Sequence, residues 1–366
     1  MRLAGKYTKS ASALVLSGAL VLTACGTSQE SGKGASSSSA AVTKESAVVN
    51  PVVKHLDMQA HRGGRGEHTE ESLTAFEHAL SLGVSTLEFD IVMSKDGVPV
   101  VWHDPDVQEE KCRDTEPAAT PNDPQFPYVG KLLHDLTWEQ LSTLRCDKKL
   151  DKFPNAEPAK DNQMIRLERV FQLTQERGAD VMYNIETKIE ADHPEKSASP
   201  QEFVDAILNA SDKAGVTDKV MLQSFDWRSL PLAKKHNPKI RTVALYDETT
   251  WLEGSPWLGD IDYKSVNGDA LEAVKKLGAD IVSPGYTVPY GKTVADADYK
   301  PVTTPEYVKK AHDLGLKVVP WTVNDKATMK SQIEAGIDGI ITDYPTILRE
   351  LAEEMKLDLP PKYPAK

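Results

Sequence analysis

Helical patterns in this chain repeatedly end in glycine, a few residues before a run of apolar and β-branched side chains. Gly83, Gly178, Gly215, Gly278, Gly315 and Gly336 all stand at such places. Glycine accepts the left-handed conformation that closes a helix, so each one marks a helix-to-strand junction. Strand candidates lie at 58–61, 86–93, 98–103, 181–186, 220–224, 240–246, 281–284, 317–322 and 339–342. Between them come helical patterns at 72–82, 137–144, 167–177, 200–214, 226–235, 270–277, 305–314, 327–335 and 344–355. Residues 98–103 follow the turn Lys95-Asp96-Gly97 and read as a hairpin arm. The remaining connections are βα crossovers. About eight such units predict an α/β fold, a TIM (β/α)8 barrel with insertions in its βα loops. An open doubly wound sheet has the same alternation, but no glycine-rich phosphate fingerprint follows the first strand to support it.

Two stretches exceed what a crossover needs. Residues 105–162 are rich in Pro and Asp and contain Cys112 and Cys146; residues 247–267 contain Trp251 and Trp257. Both leave from strand ends on the side where barrel enzymes build substrate sites. The segment from Leu359-Pro360-Pro361 onward reads as a loose tail.

The N-terminus is a targeting signal. Arg2, Lys6 and Lys9 precede an apolar run from Ala11 to Ala24, too short to favour a spanning helix. It closes on Leu22-Thr23-Ala24-Cys25, which resembles a bacterial lipobox. The resemblance implies a lipoprotein signal peptide over 1–24, cleavage before Cys25 and a lipid on the Cys25 thiol. Residues 25–51, mostly Ser, Gly, Ala and Thr beyond the cysteine, form a flexible tether, and the folded domain occupies 52–366. The expected location is extracytoplasmic, in the bacterial cell envelope, with the membrane as partner through the anchor. With Cys25 lipidated, Cys112 and Cys146 are an even pair in an oxidising compartment, and a disulfide between them is expected. The net charge of −12 has no compensating Lys/Arg cluster, which argues against nucleic acid as a partner.

The chemistry concentrates at strand ends. Side chains alternate along a strand, so Leu87, Phe89 and Ile91 face one way while Glu88 and Asp90 face the other. Glu186, in Asn184-Ile185-Glu186-Thr187-Lys188, repeats the pattern. Unpaired carboxylates facing inward are costly, and a divalent cation removes the cost. Three carboxylates without a nearby cysteine suit a hard ion, Ca²⁺ or Mg²⁺. The competing interpretation is a buried ion-pair network with Arg62 and Lys188, which leaves the acids undercompensated. His61 and His103 each close an apolar run, and two imidazoles can divide proton acceptance and donation. Arg62 and Lys188 are candidate phosphate clamps. Trp321 fits either the core or an apolar wall for the alcohol part of a substrate. Gln223 and Phe225 lie at another strand end and are candidate pocket-lining residues. His55, His68, His78, His134, His193, His236 and His312 lack such company.

The sequence resembles the glycerophosphodiester phosphodiesterases. The resemblance rests on His61-Arg62-Gly63, Glu70-Glu71-Ser72-Leu73, Glu88-Phe89-Asp90, Lys95 through Asp104, Asn184 through Lys188, Gln223-Ser224-Phe225, Pro320 through Asn324 and Gly336 through Pro345, in order over about 56–350. It implies a TIM-like barrel that hydrolyses glycerophosphodiesters to glycerol 3-phosphate and an alcohol. It further implies one divalent metal, most often Ca²⁺, on Glu88, Asp90 and Glu186. His61 and His103 would be general acid and base in an order left open, and Arg62 and Lys188 would contact phosphate. That family commonly has Glu-Asn-Thr where this chain has Glu70-Glu71-Ser72, so an amide is replaced by an acid. The 105–162 insertion is longer than a minimal member needs and bears on substrate choice. Two rivals share the motifs: a phospholipid-acting phosphodiesterase on the same barrel, and a non-catalytic surface binding lipoprotein.

Overall fold

The computed structural model describes residues 48–118 and 122–365. The expected signal peptide, Cys25 and nearly all of the tether lie outside the described residues.

Ten strands form one sheet: β1 (Asp57–Ala60), β2 (Thr86–Met93), β3 (Pro99–Val101), β4 (Ile165–Arg166), β5 (Met182–Thr187), β6 (Val220–Ser224), β7 (Arg241–Tyr246), β8 (Ile281–Pro284), β9 (Lys317–Val318) and β10 (Gly339–Thr342). Eight of them follow the order β10-β1-β2-β5-β6-β7-β8-β9, and every neighbouring pair along that path is parallel. The two ends of the path meet without a continuous ladder. Asp338 N donates to Val318 O (2.9 Å), Ile341 N to Pro320 O (3.1 Å) and Val323 N to Ile341 O (3.0 Å). This is the (β/α)8 arrangement that the glycine-punctuated sequence predicts. All six junction glycines have positive φ, between 63° and 91°.

Helices cover the outside: α1 (Leu73–Leu82), α2 (Trp138–Thr143), α3 (Leu167–Arg177), α4 (Pro200–Ala214), α5 (Ser229–His236), α6 (Ala270–Leu277), α7 (Pro305–Asp313), α8 (Lys326–Glu334) and α9 (Pro345–Glu354). Their starts are chemically specified. Ser72 caps α1, and Ser199 with Glu202 forms a capping box at α4. Outward-facing Leu87, Phe89, Ile91, Ile185, Leu222 and Val282 join the main core beneath these helices. Inward-facing Met221, Val243, Ile281, Val319 and Ile341 make a second apolar cluster inside the ring. That plug leaves the C-terminal ends of the strands for polar side chains.

Two expectations need correction. The segment after α9 is docked: Tyr363 N donates to Leu80 O (2.8 Å), Arg349 donates to Pro360 O (3.0 Å), and Leu359 and Tyr363 pack on the core. The apolar side chains between the prolines give the tail something to bury. The 98–103 arm is one of a pair: β3 is antiparallel to both β2 and β4, and the two-residue β4 carries too little sequence to be seen alone. The insertion therefore rises between β3 and β4. It has its own apolar cluster around Tyr128, Leu133 and Leu141, and Cys112 and Cys146 are joined at S–S 2.06 Å.

Candidate active site

Register builds the centre of the site. In the β2–β5 pairing Asp90 lies opposite Glu186, and Glu88 opposite Asn184. The three inward carboxylates Glu88, Asp90 and Glu186 are buried, and oxygens from all of them lie within 4.8 Å of one another. Burial first, and then the Asp90 charge, pushes Glu88 well above the usual carboxylate range. Burial also pushes Glu186 up to about 7, against the pull of Lys188. Asp90 goes the other way: burial opposes ionisation, but the Lys188 and Arg62 cations hold it well below its ordinary range. Lys188 Nζ is 2.7 Å from Glu186 Oε1 and 4.0 Å from Asp90 Oδ1, while Arg62 Nε is 3.2 Å from Asp90 Oδ2. Two cations thus leave three close acids undercompensated, and among the described residues the buried Asp90 Oδ2 lacks a hydrogen bond. The cluster fits a hard divalent cation.

A chain of buried amides fixes this cluster. Gln223 Nε2 donates to Glu88 Oε1 (2.5 Å), and Asn184 Nδ2 bridges Gln223 Oε1 and Gln59 Oε1 at 2.8 Å each. Gln223 was expected to line the pocket. It reaches the cavity, but its amide is committed to Glu88, so it positions a carboxylate. Glu71 stands where the amide is replaced by an acid, with its Oε2 unpartnered among the described residues. Its Oε1 accepts the Asp90 backbone N–H (3.0 Å), while burial and the Asp90 charge raise it well above the carboxylate range. A neutral acid offers one acceptor and one donor, as an amide group does. Glu70 is not in the carboxylate cluster; it accepts from Arg62 (3.2 Å) and Lys111 (2.5 Å).

The turn after β1 aims the next groups. Arg62, Gly63 and Gly64 all have positive φ, which swings the Arg62 N–H onto Glu88 Oε2 (3.0 Å). A Cβ on Gly63 would stand 2.8 Å from the Ala75 Cβ, so only glycine fits there. Each histidine is backed by an aspartate. His61 Nδ1 lies 2.5 Å from Asp343 Oδ1, and His103 Nδ1 lies 3.0 Å from Asp104 Oδ1. Asp343 is held well below its ordinary range despite burial, chiefly by His61 and Arg65, so it accepts and His61 donates from Nδ1. Burial and Arg65 lower His61 to about 4, against Asp343. Burial, Arg62 and Lys188 lower His103 well below the usual imidazole range. In the empty site both rings therefore favour the neutral form.

A cavity of about 290 Å³ collects these parts. His61, Arg62, His103, Glu88, Glu186 and Lys188 line its polar side. Phe225, Trp321 and Tyr290 line the other, with Phe225 edge-on to Trp321 at 5.3 Å and Tyr290 at 5.1 Å from Trp321. Trp321 lines the cavity and also packs against the inner apolar cluster. The sequence motifs contain Asp104, Asn324 and Asp343 but assign them no role, and Arg65, Lys111 and Tyr290 carry no signal in the sequence. Asp343 had a positional signal, the C-terminal end of the last strand. Arg65, Lys111 and Tyr290 sit in loops whose paths only the fold defines.

The model of the glycerophosphoryl diester phosphodiesterase family matches residues 61–347. A glycerophosphodiester phosphodiesterase of Caldanaerobacter subterraneus is 28% identical over 296 residues, covering 81% of this chain and 97% of that protein. A crystal structure from Silicibacter pomeroyi superposes with a TM-score of 0.68 at 26% identity, over 85% of this chain and 97% of its own. An Oleispira antarctica phosphodiesterase, solved with the product sn-glycerol-3-phosphate, has a TM-score of 0.58 at 17% identity, over 81% of this chain and 96% of that one, and shows the shared fold.

Proposed function

On the premise that the chain belongs to the glycerophosphoryl diester phosphodiesterase family, we propose that it hydrolyses glycerophosphodiesters to glycerol 3-phosphate and an alcohol, with one divalent cation and with His61 and His103 as the proton-transfer pair. The observation that carries the reading is the convergence, in one 290 Å³ cavity, of both histidines with Glu88, Glu186, Arg62 and Lys188.

Glu88, Asp90 and Glu186 would hold the cation, Ca²⁺ or Mg²⁺. Bound there, it would supply charge stabilisation and orientation to the phosphoryl oxygens. Arg62 and Lys188 border the same space and bring fixed positive charge to the phosphate as its negative charge rises. His61 lines this cavity. With Nδ1 donating to Asp343, its Nε2 is the bare acceptor. It takes the proton of the nucleophile, either water or the neighbouring glycerol hydroxyl, and Asp343 stabilises the imidazolium formed; in the hydroxyl route a cyclic phosphodiester results, and water then opens it with the two histidines exchanging roles to give glycerol 3-phosphate. His103 lies where this cavity meets a larger one. There it protonates the departing alkoxide, and Asp104 and the incoming phosphate favour its charged form. Phe225, Trp321 and Tyr290 exclude water along one wall.

The sequence supports a lipid anchor at Cys25 and export to the bacterial envelope as part of the same reading. The test is glycerol 3-phosphate release from glycerophosphoglycerol by the full chain, in chelator and then with Ca²⁺ or Mg²⁺ added. Release restored by either cation is expected. Absence of release with both, while intact phospholipid is cleaved, would replace this reading with the lipid-acting one.

A further inference from the structure

Cys146 is followed by Asp147-Lys148-Lys149-Leu150-Asp151-Lys152-Phe153, a local reversal of sign in a chain of net charge −12. Lys148, Lys149, Lys152 and Lys111 converge on a cavity of about 860 Å³ that also reaches Arg62 and His103. The 290 Å³ cavity shares Arg62, Arg65, His103 and Lys152 with it. The two spaces therefore meet at the proposed phosphoryl position, and an alcohol leaving past His103 enters the larger one.

The acids around this space neutralise it only in part. Glu70 and Asp104 are committed to Lys111, and Glu70 also to Arg62. Asp151 and Glu110 remain on the lining, and Asp106 and Glu109 join Glu110 beside Lys148 on the adjoining surface, so the compensation is strongest for Lys148 and the positive excess lies with Lys149 and Lys152. Lys148 Nζ donates only to the backbone carbonyl of Glu109 (2.5 Å), and Lys152 lies over the Phe153 ring at 5.8 Å. Among the described residues, none of Lys148, Lys149 and Lys152 has a carboxylate within 4.0 Å.

The lysine loop is also tied at both ends. The Cys112–Cys146 bond and the paired backbones of Arg113 and Arg145 hold its start. Its far side is strapped to the first βα loop: Glu157 N donates to Glu67 O (2.8 Å), Thr69 N to Glu157 O (3.0 Å) and Ala159 N to Thr69 Oγ1 (2.8 Å). Exposed lysines scattered on a surface are ordinarily just solvated. Three of them on one anchored loop, facing a cleft, focus their field into it.

We propose that this wall binds a second anionic group on the alcohol of the diester, so that the preferred substrates are glycerophosphodiesters whose alcohol carries a further phosphate. The inference rests on the hydrolytic reading above. A cationic alcohol such as choline would meet like charges in the same space.

The test compares kcat/KM of the full chain, at low ionic strength, for glycerophosphoglycerol and for the same diester with a phosphate monoester on its outer glycerol. We expect at least about a tenfold preference for the phosphate-bearing diester. The ratio should fall below about threefold in Lys148→Ser/Lys149→Ser, stay high in Lys148→Arg/Lys149→Arg, and shrink in the wild type as salt is raised. Because each ratio is internal to one protein, a partly misfolded sample does not distort it. A wild-type ratio near one, or one unchanged in the serine variant, overturns the proposal. If neither diester is hydrolysed, the hydrolytic reading fails by itself, and titration calorimetry with the same two diesters decides this one. Tighter binding of the phosphate-bearing diester that is lost in the serine variant upholds it, and equal binding overturns it.

Discussion

Asp343→Asn is the substitution that most directly tests the proposed base. Asp343 Oδ1 accepts from His61 Nδ1 (2.5 Å) and Arg65 Nε (2.7 Å), and its Oδ2 accepts from Asn324 Nδ2 (2.8 Å). Asparagine keeps the shape but has one acceptor and one donor group. Whichever way the amide turns, its NH₂ faces a donor, either from Asn324 or from His61 and Arg65. Charge-assisted hydrogen bonds contribute roughly 1.5–3 kcal/mol each, so a stability loss of about 3 kcal/mol is expected. The chemical loss is larger. Without the carboxylate, His61 is no longer held with Nδ1 protonated, and the imidazolium formed in the reaction faces Arg65 with no counter-charge. A buried carboxylate behind a catalytic histidine is typically worth about 10³–10⁴ in kcat, on the order of 4–5 kcal/mol of barrier. The assay is kcat and KM for glycerophosphoglycerol release, beside circular dichroism to confirm the folded state at 25 °C. We expect kcat to fall about a thousandfold with KM changing little. A folded variant with kcat within threefold of wild type would refute the His61–Asp343 assignment.

Three further outcomes follow from the geometry. Replacing Cys112 and Cys146 by serine opens a link of sequence separation 34, which the chain-entropy model values at about 4 kcal/mol; a loss under about 1 kcal/mol in urea unfolding would contradict it. His61 has a pKa of about 4 in the fold and roughly 6.5 when unfolded, so the unfolded chain binds more protons between those values. The contribution of His61 should then drop by up to about 3 kcal/mol as pH falls from 6.5 to 4, opposed in the same window by Glu186, raised to about 7, so it is read as the difference in pH dependence between the wild type and His61→Asn; Asp343, held below its ordinary range, adds to the loss below about pH 4. An equally steep drop in His61→Asn would show that another group is responsible. Gln223→Leu removes the donor to Glu88 and should weaken cation binding roughly 10–100-fold, read as a shifted midpoint when melting temperature is titrated with Ca²⁺; an unchanged midpoint would mean that Glu88 needs no such support.

The ring of strands was legible because its signals are local. β2, β6, β8 and β10 have the boundaries that the apolar runs predict, since each is bounded by turn residues and buried on both faces. β9 is shorter than the run at 317–322: beyond Val318 the run continues through single backbone bonds, Val319 N to Val282 O and Trp321 N to Pro284 O, and a bridge from Trp321 to Gly285. The loose tail was misjudged because what holds Tyr363 is the Leu80 carbonyl of α1, far away in sequence.

The same division runs through the site. Alternation along β2 and β5 by itself puts Glu88, Asp90 and Glu186 on one face, because a strand's period is fixed by backbone geometry. Composition and spacing likewise nominated His61, His103, Arg62, Lys188 and the Cys112–Cys146 pair. What the sequence could not decide was which distant group each of these would meet. Asp343 reaches His61 across 282 residues, and Gln223 reaches Glu88 across 135. The lysines after Cys146 border the phosphoryl site only because the disulfide and the Glu67–Glu157 strap fold the insertion back over it. Local pattern set the elements and the chemistry they carry; closure of the barrel, which depends on contacts between residues far apart in the chain, set the partners, the protonation states and the shape of the space they share.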